Sequence, residues 1–117
     1  MTKKTKQLGN KGEDLACEYL QKNYYQIIGR NVRLKYGEID IIAAKSDDII
    51  LVEVKTKQNF DQGLPEEMVN ITKQNKLRLL ARALAQKYDE KNIRIDVIAI
   101  DFSKNKPKIN HIINAII

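Results

Sequence analysis

Glu38-Ile39-Asp40-Ile41-Ile42-Ala43, then Ser46-Asp47-Asp48, then Ile49-Ile50-Leu51-Val52-Glu53-Val54-Lys55-Thr56 sets the architecture of this 117-residue chain. Two apolar runs rich in β-branched residues flank a short polar turn, the pattern of a β-hairpin. A continuous run such as Ile49 to Val52 suits a strand covered on both faces. Three charges interrupt the runs: Asp40, Glu53 and Lys55. Burying an unpaired carboxylate or ammonium is costly, so charges in such strands require an explanation. Side chains alternate along a strand, so Glu53 and Lys55 share one face and Glu38 and Asp40 share one on the neighbouring strand. A hairpin closed at Ser46-Asp47-Asp48 brings Asp40, Glu53 and Lys55 to a common face.

On the N-terminal side, Leu8, Leu15, Ala16, Tyr19 and Leu20 recur with a helical period, predicting a helix from Leu8 to about Lys22 that Asn23 ends. Residues 1–7 read as a flexible basic tail. Tyr24 to Leu34 reads as a turn and an extended segment, and Gly37 marks the next turn. On the C-terminal side, the polar segment Asn59 to Glu67 reads as the one loop long enough to be mobile. A second helix is expected from Pro65 or Asn70 to Tyr88, with Leu77, Leu80, Ala81, Leu84 and Tyr88 on one face. Ile93 to Asp101 and Pro107 to Ile113 read as the last strands. The order is α-β-β-β-α-β-β in a single domain spanning 1–117, and a central mixed β-sheet with a helix on each face covers strands this apolar.

Composition narrows the chemistry. A single cysteine, Cys17, excludes an internal disulfide or a cysteine-rich zinc site, and a single histidine, His111, excludes His-rich metal sites and argues against a Ser-His-Asp triad. The basic start leads into Gln7-Leu8-Gly9-Asn10-Lys11 rather than an apolar run, so no secretory signal is expected; no run approaches membrane-spanning length, and a cytoplasmic, membrane-free protein is the expectation. The net charge of +6 favours a polyanionic partner such as nucleic acid. With 16 Lys against 5 Arg, a merely Lys-rich surface accounts for that charge equally well.

Two carboxylates and an ammonium on one face suit a hard divalent cation, because Mg²⁺ takes a few carboxylate oxygens and leaves other positions to water and phosphate. Glu13 lies at the edge of the inward face of the first helix, beside Leu20, and a helix packed over the hairpin directs it toward Asp40 and Glu53. Gly9 and Gly12 allow that helix to approach another backbone or a phosphate closely. Lys55 is placed to orient a nucleophile or stabilise charge on a phosphate. The competing reading is structural: Glu53 and Lys55 as ion-paired residues of a solvated sheet face, with Asp40 capping a turn. Asp96, a further charge inside a buried-type strand, reads as a fold-supporting partner of Arg94 or Lys55, and His111 as a polar residue at a strand end.

Asp40 followed across a turn by Glu53-Val54-Lys55 resembles the core of the restriction-endonuclease-like, or PD-(D/E)XK, nucleases. More narrowly, Gly9-Asn10-Lys11-Gly12-Glu13-Asp14-Leu15-Ala16, Asn31-Val32-Arg33, Gly37 to Ile42, Val52 to Thr56, Lys73 to Leu77, Arg94-Ile95-Asp96-Val97 and His111 to Ala115 resemble, in order, the YraN family of uncharacterised bacterial proteins. The resemblance implies a restriction-endonuclease-like α/β fold and a Mg²⁺ (or Mn²⁺) dependent nuclease core related to Holliday-junction resolvases. It implies Asp40, Glu53 and the Val54 carbonyl as metal ligands, Lys55 as the catalytic lysine and Glu13 as a carboxylate supplied by the first helix. Ile39 stands where the superfamily has proline, and Ile95 where the family commonly has an aromatic residue. Related resolvases are dimers, so a homodimer is what the analogy suggests. Arg33, Lys57, Lys73 and Lys76 are the candidate nucleic-acid contacts, with Tyr36 a candidate for stacking. The leading expectation is hydrolysis of DNA, structured or branched DNA included; the alternatives are a non-catalytic nucleic-acid-binding module of the same fold and, more remotely, a scaffold with no nucleic-acid ligand.

Overall fold

The computed structural model of the protein describes residues 3–57 and 69–117, the first six of them by backbone alone. Seven elements follow in the expected order: α1 (Lys3–Lys22), β1 (Gln26–Leu34), β2 (Gly37–Lys45), β3 (Asp48–Lys57), α2 (Ile71–Lys87), β4 (Asn92–Asp101) and β5 (Lys108–Ile116). The segment expected as a basic tail is a correction: from Lys3 onward it is helical, since Lys and Gln are good helix formers and no proline breaks the run before Leu8. The Asn59–Glu67 loop lies outside the described residues.

The strands form one sheet in the order β1-β2-β3-β4-β5. All neighbours are antiparallel except β3 and β4, which run parallel from Asp48↔Asn92 to Lys57↔Asp101. A parallel pair needs a crossover, and α2 supplies it. This makes the sheet mixed and gives the fold its restriction-endonuclease-like α/β character. The hairpin turns at Lys45↔Asp48, with Ser46 at φ +53.

Alternation along the central strands divides the core in two. Ile41, Ala43, Ile50, Val52, Ile98 and Ile100 pack with Ala16 and Leu20 of α1. Ile42, Ile49, Leu51, Ile95 and Val97 pack with Leu77, Leu80 and Leu84 of α2 on the other face. The uninterrupted apolar run of β3 is thus explained by a helix on each side. Truncating one of these leucines to Ala would cost about 2–5 kcal/mol. Of the two starts expected for α2, the structure uses Asn70, whose side chain accepts from the Lys73 amide at 2.9 Å as an N-cap.

The last strand continues three residues past the expected Ile113. A register shift opposite Ile95 and Val97 absorbs the irregularity, and Asn114, at φ +54, takes the left-handed conformation that asparagine tolerates better than most residues.

Candidate active site

The β2–β3 ladder runs from Lys45↔Asp48 to Ile41↔Val52. Beyond that last pair, the Asp40 side chain takes over the bridging: its Oδ2 accepts the Val54 amide at 2.9 Å. Asp40 is thereby drawn onto β3 beside Glu53. Glu53 shares the face of Ile49 and Leu51, which looks toward α2, and it is only 4% exposed. Its Oε1 lies 3.7 Å from Lys55 Nζ and 3.5 Å from Lys73 Nζ, while its Oε2 is buried with no hydrogen-bond partner. The lysine side chains are 24% and 33% exposed, so the cluster opens to solvent on their side.

The electrostatics record the crowding. Burial raises the Glu53 carboxyl above its ordinary range and the Asp40 charge raises it further, against the pull of Lys73 and Lys55. Burial also raises Asp40, opposed by the Val54 amide and by the same two ammonium groups. Two carboxylates that repel each other in a desolvated place signal function more often than structure, since stability alone would remove one of them.

Glu13 approaches from α1, on the sheet face opposite α2: its carboxyl is raised first by burial and then by the Asp40 charge, so the structure brings it toward Asp40 and not, as expected, toward Glu53 as well. Its Oε1 lies 3.4 Å from Arg30 Nε, and Asn31 also hydrogen-bonds it. Arg30 further reaches Asp14 Oδ1 at 2.7 Å and the Asn10 carbonyl at 3.3 Å, tying β1 to α1. Gly12 permits the close approach: a Cβ there would lie 2.2 Å from Thr56 Cγ2 on β3.

The donor set fits Mg²⁺ or Mn²⁺. Asp40, Glu53 and the backbone of Val54 offer hard oxygens, and the partnerless Glu53 Oε2 is a carboxylate oxygen with capacity to spare. Among the described residues no three Asp, Glu, His or Cys side chains are grouped to hold a metal by themselves. Water and phosphate would therefore fill the remaining positions, as Mg²⁺ sites commonly allow.

The expected nucleic-acid contacts disperse. Lys73 belongs to the carboxylate cluster. Lys76 lies over Gly37, at φ +148, where its Cε is 2.6 Å from the position of a Cβ. Arg33 is exposed and 3.7 Å from Glu38. Lys57, expected at a solvated strand end, is 4% exposed, because the end of β3 is flanked by β4 at Asp101 and its carbonyl accepts the Phe102 amide. Lys57 is thus not the solvated strand end that was expected. Tyr36 is half-exposed in the β1–β2 turn, with Lys35 over its ring.

Sequence reasoning passed over Arg30 and the role of Asn31. Neither interrupts an apolar run, so nothing in the strand pattern marks them; the signal available for Asn31 was its place in the Asn31-Val32-Arg33 segment. It also underread the opposite polar cluster. Asp96 is fully buried and receives Arg94 at 2.9 and 3.0 Å, His111 Nε2 at 2.7 Å and the Asn114 amide at 2.9 Å. His111, expected as a simple strand-end residue, is in contact with Tyr19 through Nδ1 at 3.1 Å and lies edge-on to Tyr19 and Tyr25. The reading of Asp96 as a partner of Arg94 holds.

These features define a restriction-endonuclease-like α/β protein with an acidic pair at the end of its central hairpin ladder. The chain belongs to the uncharacterised protein family UPF0102, whose model matches residues 12–100, in agreement with the resemblance read from the sequence. It is 41% identical over 114 residues to a UPF0102 protein of Syntrophomonas wolfei, covering 94% of this chain and 97% of that one. A UPF0102 protein of Desulforamulus reducens is 42% identical over 122 residues, covering 99% and 100%. One from Alkaliphilus oremlandii is 42% identical over 116 residues, covering 94% and 97%. The matched span includes Glu13, Asp40, Glu53, Lys55 and Lys73. No helix among the described residues is long and apolar enough to cross a membrane.

Proposed function

We propose that this protein is a metal-dependent nuclease that hydrolyses phosphodiester bonds in DNA, structured or branched DNA included. One observation carries the reading: half-buried Asp40 and buried Glu53, from adjacent strands, form a repelling pair with an unpartnered oxygen on Glu53. Asp40, Glu53 and the Val54 carbonyl would hold Mg²⁺ or Mn²⁺. When bound, the ion supplies Lewis acidity and a more acidic water for attack on phosphorus. Lys55, on the strand of Glu53 and facing the same way, orients the attacking water or offsets charge on the phosphate. Glu13, steadied by Arg30 and Asn31, stands ready to accept a proton at its carboxylate, and burial tunes it toward that task. The net charge of +6 holds the polyanion nearby.

The test is cleavage of junction, flap, single-stranded and duplex DNA with Mg²⁺ or Mn²⁺, beside Asp40→Ala and Glu53→Ala. Metal-dependent cleavage lost in both variants is expected; no cleavage of any substrate, or cleavage unchanged in the variants, overturns the proposal.

A second reading has its own observation. Both ammonium groups converge on Glu53 Oε1, so the acidic pair is already matched in charge without a metal. A non-catalytic nucleic-acid-binding module of the same fold would look this way. It predicts salt-sensitive binding that ignores chelator and survives Glu53→Ala.

A further inference from the structure

We infer that Lys73 is the resident counter-ion of the Asp40 and Glu53 pair in the metal-free protein, and that a divalent cation binds by displacing it and freeing its ammonium for a nucleic-acid phosphate. The inference rests on the metal-site reading above. It assigns different work to the two lysines that share Glu53 Oε1.

Lys55 belongs to the sheet. It lies two residues from Glu53 on the same strand face, on a segment of β3 paired with β4 at Ala99, and so stays beside the acidic pair. Lys73 comes from a different element, the first turn of α2, where the Asn70 cap holds its backbone amide but leaves its side chain to reach across. A third exposed, and carried on four methylenes, its ammonium can leave Glu53 for solvent without moving the helix.

Charge counting favours that exchange. Two carboxylates against Lys55 and Lys73 are balanced. A divalent ion added to that arrangement leaves two positive charges in excess in a place shielded from water, where repulsion is only partly screened. Removing Lys73 lowers the excess. The displaced ammonium remains tethered beside the acidic pair, and a phosphate is the partner that restores balance. Metal and polyanion therefore stabilise the same arrangement of Lys73, and each strengthens binding of the other.

The experiment measures Mn²⁺ binding by electron paramagnetic resonance in the absence of DNA, for the unaltered protein, Lys73→Gln, Lys73→Met, Lys73→Arg and Lys76→Gln. The two neutral substitutions at Lys73 should bind Mn²⁺ on the order of tenfold tighter. Lys73→Arg and Lys76→Gln should stay close to the unaltered protein. Without metal, the neutral variants should melt at a lower temperature, and saturating Mn²⁺ should close that gap. Equal or weaker Mn²⁺ binding by both neutral variants overturns the inference and leaves the metal site standing. Absence of Mn²⁺ binding in every protein overturns both.

Discussion

The Val54 amide donates to Asp40 Oδ2 at 2.9 Å, a hydrogen bond between β3 and a side chain fourteen residues upstream on β2. It lies just past the last ladder pair, Ile41↔Val52, so a candidate metal ligand also satisfies a backbone donor of the strand that carries the other ligand. The two roles separate by mutation. Asp40→Ala leaves the Val54 amide without its acceptor and should cost about 1–3 kcal/mol of stability. Asp40→Asn keeps an acceptor and removes the repulsion with Glu53 and Glu13, so it should unfold at or above the temperature of the unaltered metal-free protein. Both should lose Mn²⁺ binding and cleavage. Thermal unfolding beside Mn²⁺ titration checks this; equal destabilisation by the two substitutions would refute the capping role.

The carboxyls of this protein should give stability two opposed responses to acid. Asp40, Glu53 and Glu13 are all raised in the folded state, so the folded protein binds protons before the unfolded chain does. Acidification from neutral toward their folded values therefore stabilises, by relieving a cost present when all three are ionised. Asp96 behaves in the opposite sense. Burial alone would raise it, but the hydrogen bonds from His111, Arg94 and the Asn114 amide outweigh burial and hold it below its usual 3.8. Its contribution is complete above that unfolded value and is lost as pH falls through the lower folded one. Urea unfolding across pH should show a rise on mild acidification that Asp40→Asn reduces, followed by a steep acid loss that Asp96→Asn reduces. A monotonic fall from neutral pH, unchanged by Asp40→Asn, would contradict the first part.

Asp96 is the residue whose loss should unfold the protein most readily. Its carboxylate is fully buried and joins β4 to β5 through His111 and Asn114, while Arg94 continues to Asp48 at 3.2 Å and to the Tyr25 hydroxyl at 2.9 Å. Asp96→Ala takes the buried carboxylate from Arg94, His111 and the Asn114 amide at once, leaving Arg94 with Asp48 and Tyr25, and should cost about 3–5 kcal/mol. In the fraction that folds, Mn²⁺ affinity should be unchanged, because no member of this cluster touches the acidic pair. Chemical denaturation gives the first quantity and Mn²⁺ titration the second. A loss below about 1 kcal/mol would place the cluster among ordinary surface ion pairs.

The hairpin, the two helices and the element order could be read from the chain because each rests on a local pattern: continuous β-branched runs in β2 and β3, and the Leu77, Leu80 and Leu84 stripe in α2. Asp40, Glu53 and Lys55 stood out for the same reason, as charges in strands where an apolar residue was due. What local pattern could not supply was contact between elements distant in sequence. Lys73 reaches Glu53 through the packing of α2 on the sheet, and Arg30 reaches Glu13 through the packing of α1 on β1. His111 finds Asp96 across the β4–β5 pair, near an irregularity in its register. Lys57 failed differently, since a lysine at the end of a strand reads as solvated until the neighbouring strand is seen to extend alongside it.

Gly12 sets the distance between Glu13 and the acidic pair. Thr56 Cγ2 occupies the space where a Cβ would stand, 2.2 Å away, and threonine is stiff about its first side-chain torsion. Gly12→Ala must therefore push α1 away from β3 or force Thr56 from its rotamer, at about 1–3 kcal/mol, partly offset by alanine's better helix propensity. Because Glu13 is the next residue, the same shift should lower cleavage while leaving Mn²⁺ affinity, set by Asp40 and Glu53, nearly unchanged. Thr56→Ser removes the offending methyl. The double variant should regain most of the lost stability and activity, whereas Thr56→Ser alone should change both little. A double-mutant cycle on unfolding and cleavage measures the coupling directly, and additive effects in it would show that Gly12 does not control the approach of α1 to β3.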